Sequence, residues 1–299
     1  MNPLKSCRTE PVSGSFDISR NMSATALYVL VLLAAAAHAI WNALVKRASD
    51  AVLMMASIRL VGLAFALVVL PFVPWPHGSA WLLVILAAAA TFAYYGLLIR
   101  SYRFGDLSMV YPIARGTAPV LLACLSYVVV GETLVPMQIA GIVLIVSGVL
   151  GITVGSGVDR AVLLFASATG ASIAGYSFLG GIGARTSGSV VGFQAWLEII
   201  TGIGMLAFAA VRRRHNVRCF LRANAFWGLI AGTLSVGGYL AFLTAAKALP
   251  LAPVAALREC SPVFGAAIGA LVFKEPFGIR RAFAAGLVSA GALAIAAYA

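Results

Sequence analysis

Four clusters in this chain combine side chains that can bind or move charge. His38, Trp41 and Asn42 fall at i, i+3 and i+4, which is one face of a helix. A histidine titrates near neutral pH and can carry a proton. Asn42 both donates and accepts, and Trp41 supplies a flat apolar wall. Tyr111 and Arg115 stand four apart, with Pro119 one turn further on. A guanidinium there suits a carboxylate or a phosphate, and Pro119 removes a helix hydrogen bond, which predicts a kink. Arg258 repeats the theme and is followed by Glu259. Adjacent helical side chains point about 100° apart, so one of these two is expected to face another helix. Glu198, between Gln194 and Trp196, is the remaining deep acid. It is expected either to neutralise Arg115 or Arg258 as a static lock, or to carry a proton with His38. Tyr95, Tyr176 and Tyr239 add rings that can stack on a ligand and hydroxyls that can bond to it.

Each cluster also has a purely structural reading. The helix-1 group can be a polar contact between helices, and Arg115 can reach the headgroups on its long stem. What separates the readings is the medium. Of 299 residues, 62% are hydrophobic and only 10% charged, against about 25% charged in soluble domains. Mean hydropathy is +1.01. Such a chain cannot coat itself for water, which excludes a cytosolic enzyme, a disordered chain and a disulfide scaffold. An ionisable side chain inside lipid is costly, so it normally faces a cavity or a partner.

The net charge of +12 is read as loop charge facing anionic lipid, with no nucleic-acid partner. Cys7, Cys124, Cys219 and Cys260 form no CxxC pair, so neither a disulfide framework nor a metal site is expected. There is no phosphate-cradling loop after a strand, no HExxH and no paired-carboxylate arrangement. No cofactor, no catalytic residue and no enzymatic activity are expected.

Ten segments are apolar over about 20 residues, the length that spans a bilayer: 24–45, 51–71, 79–100, 108–130, 134–154, 160–183, 189–211, 224–246, 250–273 and 277–298. The fold class predicted is all-α, integral to the membrane. Residues 1–21 are polar, and are expected either to be a disordered tail or to precede a true start at Met22. An internal repeat organises the rest. Sliding the chain by 143 residues lays Arg115 on Arg258, Pro119-Val120 on Pro262-Val263, Glu132 on Glu275 and Gly148 on Gly291. Two halves of five helices follow, 22–155 and 158–299. Because five is odd, the second half enters from the opposite side, an inverted repeat with its binding site between the halves. Glu132 and Glu275 sit in tight turns where a carboxylate favours the next helix start. With Pro119 and Pro262 they are expected to be structural.

At these residues the chain resembles the EamA-type transporters of the drug/metabolite transporter superfamily. The resemblance rests on Trp41-Asn42…Lys46, Arg59, Pro119, Gly131-Glu132 and a Gly-rich fifth helix (Gly141, Gly148). In the second half it rests on Pro262, Lys274-Glu275, Gly286 and Gly291. It implies a ten-helix secondary transporter, multi-pass in a bacterial inner membrane, exporting small polar metabolites such as amino acids or organic anions. Uptake of an anionic nutrient (a phosphonate or carboxylate) and flipping of a lipid-linked substrate are the alternatives. Arg115 or Arg258 would meet the substrate carboxylate, in a cavity lined by helices 1, 3, 4, 6, 8 and 9. One chain holds both repeats, so a monomer is expected. Orientation has two answers. Odd-numbered connections and their flanks carry thirteen Lys and Arg against two in the even ones, which puts both termini outside. The resemblance puts them in the cytoplasm.

Overall fold

The structure is a computed structural model that describes residues 22–101, 104, 107–151, 159–213, 217–272 and 279–297. Among the described residues there are helices and no strand. The helices are α1 (Ala24–Arg47), α2 (Ala51–Val69), α3 (Ala80–Ser101), α4 (Leu107–Leu125), α5 (Pro136–Gly151) and α6 (Arg160–Thr186). The second half continues with α7 (Val190–Arg212), α8 (Val217–Ala223), α9 (Ala225–Ala248), α10 (Leu251–Arg258), α11 (Ser261–Val272) and α12 (Ile279–Ala297).

Polar residues just before apolar runs start four of them. Ser23 accepts from the Ala26 N–H, Asp50 from Val52 and Leu53, Asp159 from Ala161, and Ser189 from Gly192. Each bond satisfies an N–H that the helix itself leaves unpaired. At its other end, α4 widens into a π turn over Ser126–Val130, closed by Gly131 at φ +74°. That left-handed conformation is the one glycine adopts without cost.

Seven of the helices, α1–α4, α6, α7 and α9, are long and apolar enough to cross a membrane. Apolar stretches in α5 and α12 are shorter. The segment 250–273 is not one helix but two, α10 of 8 residues and α11 of 12, separated at Glu259–Cys260. Pro262 withholds the N–H that would bond the Arg258 carbonyl, and α11 starts afresh with proline at its second position, where no N–H is needed. Pro119 withholds the same bond from Arg115, yet α4 runs unbroken through it. A further difference from expectation is α8, which forms inside the five-arginine stretch 212–224.

Packing repeats between the halves. Helix α3 packs on α6 as α9 packs on α1; α4 packs on α6 as α10 and α11 pack on α1; and α2 touches α9 as α7 touches α3. The pairs α2–α7 and α5–α12 map onto themselves, so they lie where the two repeats meet. In the second pair the backbones nearly touch: a Cβ on Gly141 would lie 2.8 Å from the Gly291 carbonyl. Small residues give that approach, and dispersion holds it where lipid offers no hydrophobic drive. The outward face is apolar, with Leu33, Val68, Leu164, Val211 and Leu293 all exposed, as lipid requires.

Candidate functional site

Near the middles of these helices lies a cavity of about 90 Å³, room for several waters. Its walls come from both repeats. Helix α1 contributes Ala34, His38 and Trp41; α2 contributes Arg59; α3 contributes Thr91, Tyr94 and Tyr95. From the second repeat come Tyr176 of α6, Leu197, Glu198 and Thr201 of α7, Tyr239 and Ser235 of α9, and Arg258 of α10. Tyrosine rings form a chain along one wall, Tyr94 to Tyr176 at 5.9 Å and Tyr176 to Tyr239 at 6.4 Å between centroids.

One buried ion pair borders this space and a second lies behind it. Arg59 Nη1 donates to Glu198 Oε2 at 2.9 Å, with Glu198 almost fully buried. The Tyr95 hydroxyl lies beside the same guanidinium. A Cβ at Gly62 would collide with Glu198 Oε2, so the bare backbone of α2 makes the slot in which that carboxylate rests. Deeper, Arg115 Nη1 donates to Glu259 Oε2 at 2.7 Å, with the side chains 2% and 1% exposed. Arg115 Nη2 also contacts His38 Nε2. A guanidinium can only donate, so His38 can meet it only as an acceptor, through the lone pair of that ring nitrogen.

Arg258 is held differently. Its Nη2 donates to Ser177 Oγ at 2.7 Å and reaches Tyr176 OH and Glu259 Oε1 only at 3.5 Å. The guanidinium carbon stands 4.4 Å from the Phe242 ring centroid and 5.5 Å from that of Tyr176. Aromatic faces attract a cation but do not neutralise it.

Of the residues singled out from sequence, His38, Trp41, Tyr95, Tyr176, Glu198, Tyr239 and Arg258 border the cavity. Arg115 does not; it lies behind, locked to Glu259. Asn42 turns back on its own helix, donating to the His38 carbonyl at 2.7 Å. The side chains of Tyr111 and Pro262, and all of Glu275, lie outside the described residues. Two expectations need correction. Glu198 neutralises neither Arg115 nor Arg258, because α7 packs along α2 and its nearest cation is Arg59. The cavity takes side chains from α2 and α7, and among the described residues none from α4. Arg59 and Glu259 were visible in sequence, but their partners lie 139 and 144 residues away, beyond any local pattern. The slot at Gly62 carries no sequence signal at all.

Two further ion pairs cross between the repeats, one at each end. Glu132 Oε1 accepts from Arg185 Nη1 at 2.6 Å and its Oε2 accepts from the Leu251 N–H at 2.8 Å. Arg185 also donates to the Ala246 and Leu249 carbonyls. Glu132 therefore serves a helix start, but that of α10 rather than of α5, which follows it in sequence. At the other end Arg213 Nε donates to Asp50 Oδ2 at 2.7 Å. Partial burial pushes the Asp50 carboxyl up. The Leu53 and Val52 N–H groups and the Arg213 guanidinium outweigh that and hold it below the usual aspartate range.

Two helical repeats exchanged by a pseudo-two-fold, with a charged cavity where they meet, define a multi-pass membrane protein of the transporter type. The chain belongs to the EamA-like transporter family, whose sequence model matches it twice, over residues 25–154 and 160–297. No curated protein matches the chain by sequence. A solved protein crystal structure is similar in fold, with a TM-score of 0.69 at 17% identity over 91% of this chain and 95% of that one.

Proposed function

We propose that this chain is a secondary active transporter of a bacterial inner membrane. It exports small polar metabolites, such as amino acids or organic anions, by alternating access around the central cavity. Ten crossings complete the architecture when α5, α12 and the broken pair α10–α11 are counted with the seven longer helices. The halves divide between residues 155 and 158 and rock against each other. The observation that carries this reading is the cavity itself: it lies between the repeats and presents Arg258, a buried guanidinium bonded at 2.7 Å to the neutral Ser177, with its carboxylate neighbour Glu259 only at 3.5 Å.

The cargo's carboxylate meets Arg258, and Arg115 braces the broken helix through Glu259. Proton coupling falls to Glu198 in preference to His38. His38 already accepts from Arg115, so a proton there requires that contact to part. Glu198 borders the cavity and can take a proton from it, releasing Arg59. Flux of labelled amino acids and small organic anions into liposomes holding the purified protein tests the reading. Saturable flux that Arg258→Gln abolishes supports it; absence of flux for every zwitterion and small anion, with protein shown to be folded, overturns it. Glu198→Gln is expected to uncouple flux from an imposed pH gradient, and unchanged pH dependence rejects its role.

A further inference from the structure

Among the described residues, the centre of the bundle holds three guanidiniums, Arg59, Arg115 and Arg258, and two carboxylates, Glu198 and Glu259. The pairing is lopsided. Glu198 belongs to Arg59 and Glu259 to Arg115, while Arg258 has Glu259 only at 3.5 Å. His38 adds no negative charge. Among the described residues one positive charge is therefore left without a full counter-charge in a medium of low dielectric, which is unfavourable.

Residues that line the cavity also carry donors left without an acceptor. Arg258 Nε, Arg59 Nε and the Tyr239 hydroxyl are buried with no hydrogen-bond partner, and all three residues line the cavity. A buried donor without an acceptor is costly. An acceptor that carries one negative charge, and is small enough for about 90 Å³, would give Arg258 both its missing counter-charge and an acceptor.

We propose that the cavity is a binding site for a small monovalent inorganic anion of the halide class, seated at Arg258, and that a cargo carboxylate displaces it. The displacement rests on the proposed transport function; the anion site does not, since it follows from the charges and donors alone. Arg258 would then always leave one partner anion for another and never stand bare in the bundle.

The test is binding to the purified full-length protein in detergent. Sodium chloride is titrated against sodium isethionate at constant ionic strength, with chloride-35 line width as readout. Saturable chloride binding is expected, weakened about tenfold or more by Arg258→Gln, since a charge-assisted bond is lost. Glu259→Gln adds a second uncompensated charge and is expected to tighten binding by a similar factor. Acetate is expected to compete. No saturable binding, or equal affinity in the wild type and both variants, overturns the site; chloride that acetate fails to displace overturns the exchange. Should Arg258→Gln not fold, the opposite sign expected of Glu259→Gln decides alone. Chloride binding with no cargo flux rejects the transport reading only, and flux with no chloride binding rejects the anion site only.

Discussion

Arg115 and Arg258 stand at the same place in the two repeats, each four residues before a proline, and the fold has given them opposite tasks. Each reaches the first helix of its own repeat, Arg115 to His38 on α1 and Arg258 to Ser177 and Tyr176 on α6. The next residue makes the difference. In the first repeat it is Gly116, where a Cβ would crowd Leu150 at 2.7 Å; in the second it is Glu259, whose carboxylate is spent on Arg115. One repeat thus gains a neutral lock and a continuous helix. The other gains an under-neutralised guanidinium at a helix break, bordering the cavity. Duplication supplies the cation twice, and a single unmatched acid turns one copy into scaffold and leaves the other for a ligand.

Neutralising each arginine in turn separates the two roles most directly. Arg115→Gln takes the 2.7 Å partner from Glu259 and leaves it Arg258 at 3.5 Å; it is expected to cost about 3 kcal/mol of unfolding free energy, the low end of the scale for removing one partner of a buried pair. Unfolding in mixed micelles measures it. The double change Arg115→Gln with Glu259→Gln should recover most of that loss, and a cycle with no coupling between the two rejects the lock. Arg258→Gln balances the central charges, so its stability should stay within about 1 kcal/mol of wild type while cargo flux falls. A large loss of stability there makes Arg258 scaffold as well.

Gly62→Ala perturbs the other central ion pair. The colliding atom is the end of a flexible side chain, so Glu198 can yield and the fold should hold. Its carboxylate moves within the slot, and the pH dependence of flux should shift while expression and unfolding midpoint do not. A wild-type pH profile in Gly62→Ala would count against Glu198 as the coupling group.

The ion pairs at the two ends give the smaller effects. Glu132→Gln weakens the clamp on Arg185 and the start of α10, both part-buried, for about 1–2 kcal/mol. Asp50→Asn loses a pair whose arginine is 45% exposed, so the change is about 1 kcal/mol or less. Its sign with pH is defined: the Asp50 carboxyl is lower in the folded protein, so its stabilisation is complete above the ordinary aspartate value of about 3.9. It fades as pH falls through the folded value. Unfolding midpoints of wild type and Asp50→Asn should converge on acidification below about pH 4, and a gap that widens there contradicts the assignment.

Much of this molecule is legible along the chain because lipid enforces simple local rules. Apolar stretches of spanning length, Ser and Asp caps before them, and the repeated Arg, Pro-Val, Glu and Gly positions determine an all-helical membrane protein in two halves. They also bring His38, Trp41, Tyr95, Tyr176, Glu198, Tyr239 and Arg258 forward as candidates. The partners of those groups were decided only by tertiary structure. Glu198 faces Arg59 because α7 lies along α2; Glu132 caps α10 and not its own neighbour; Arg115 withdraws behind Glu259. The break at Glu259–Cys260 belongs there too, since Pro119 in the matching place leaves α4 whole. The physical reason is one of range. Burial, capping and helix formation depend on residues within a few turns, whereas charges in a low-dielectric interior are settled by whichever opposite charge the packing brings within about 3 Å.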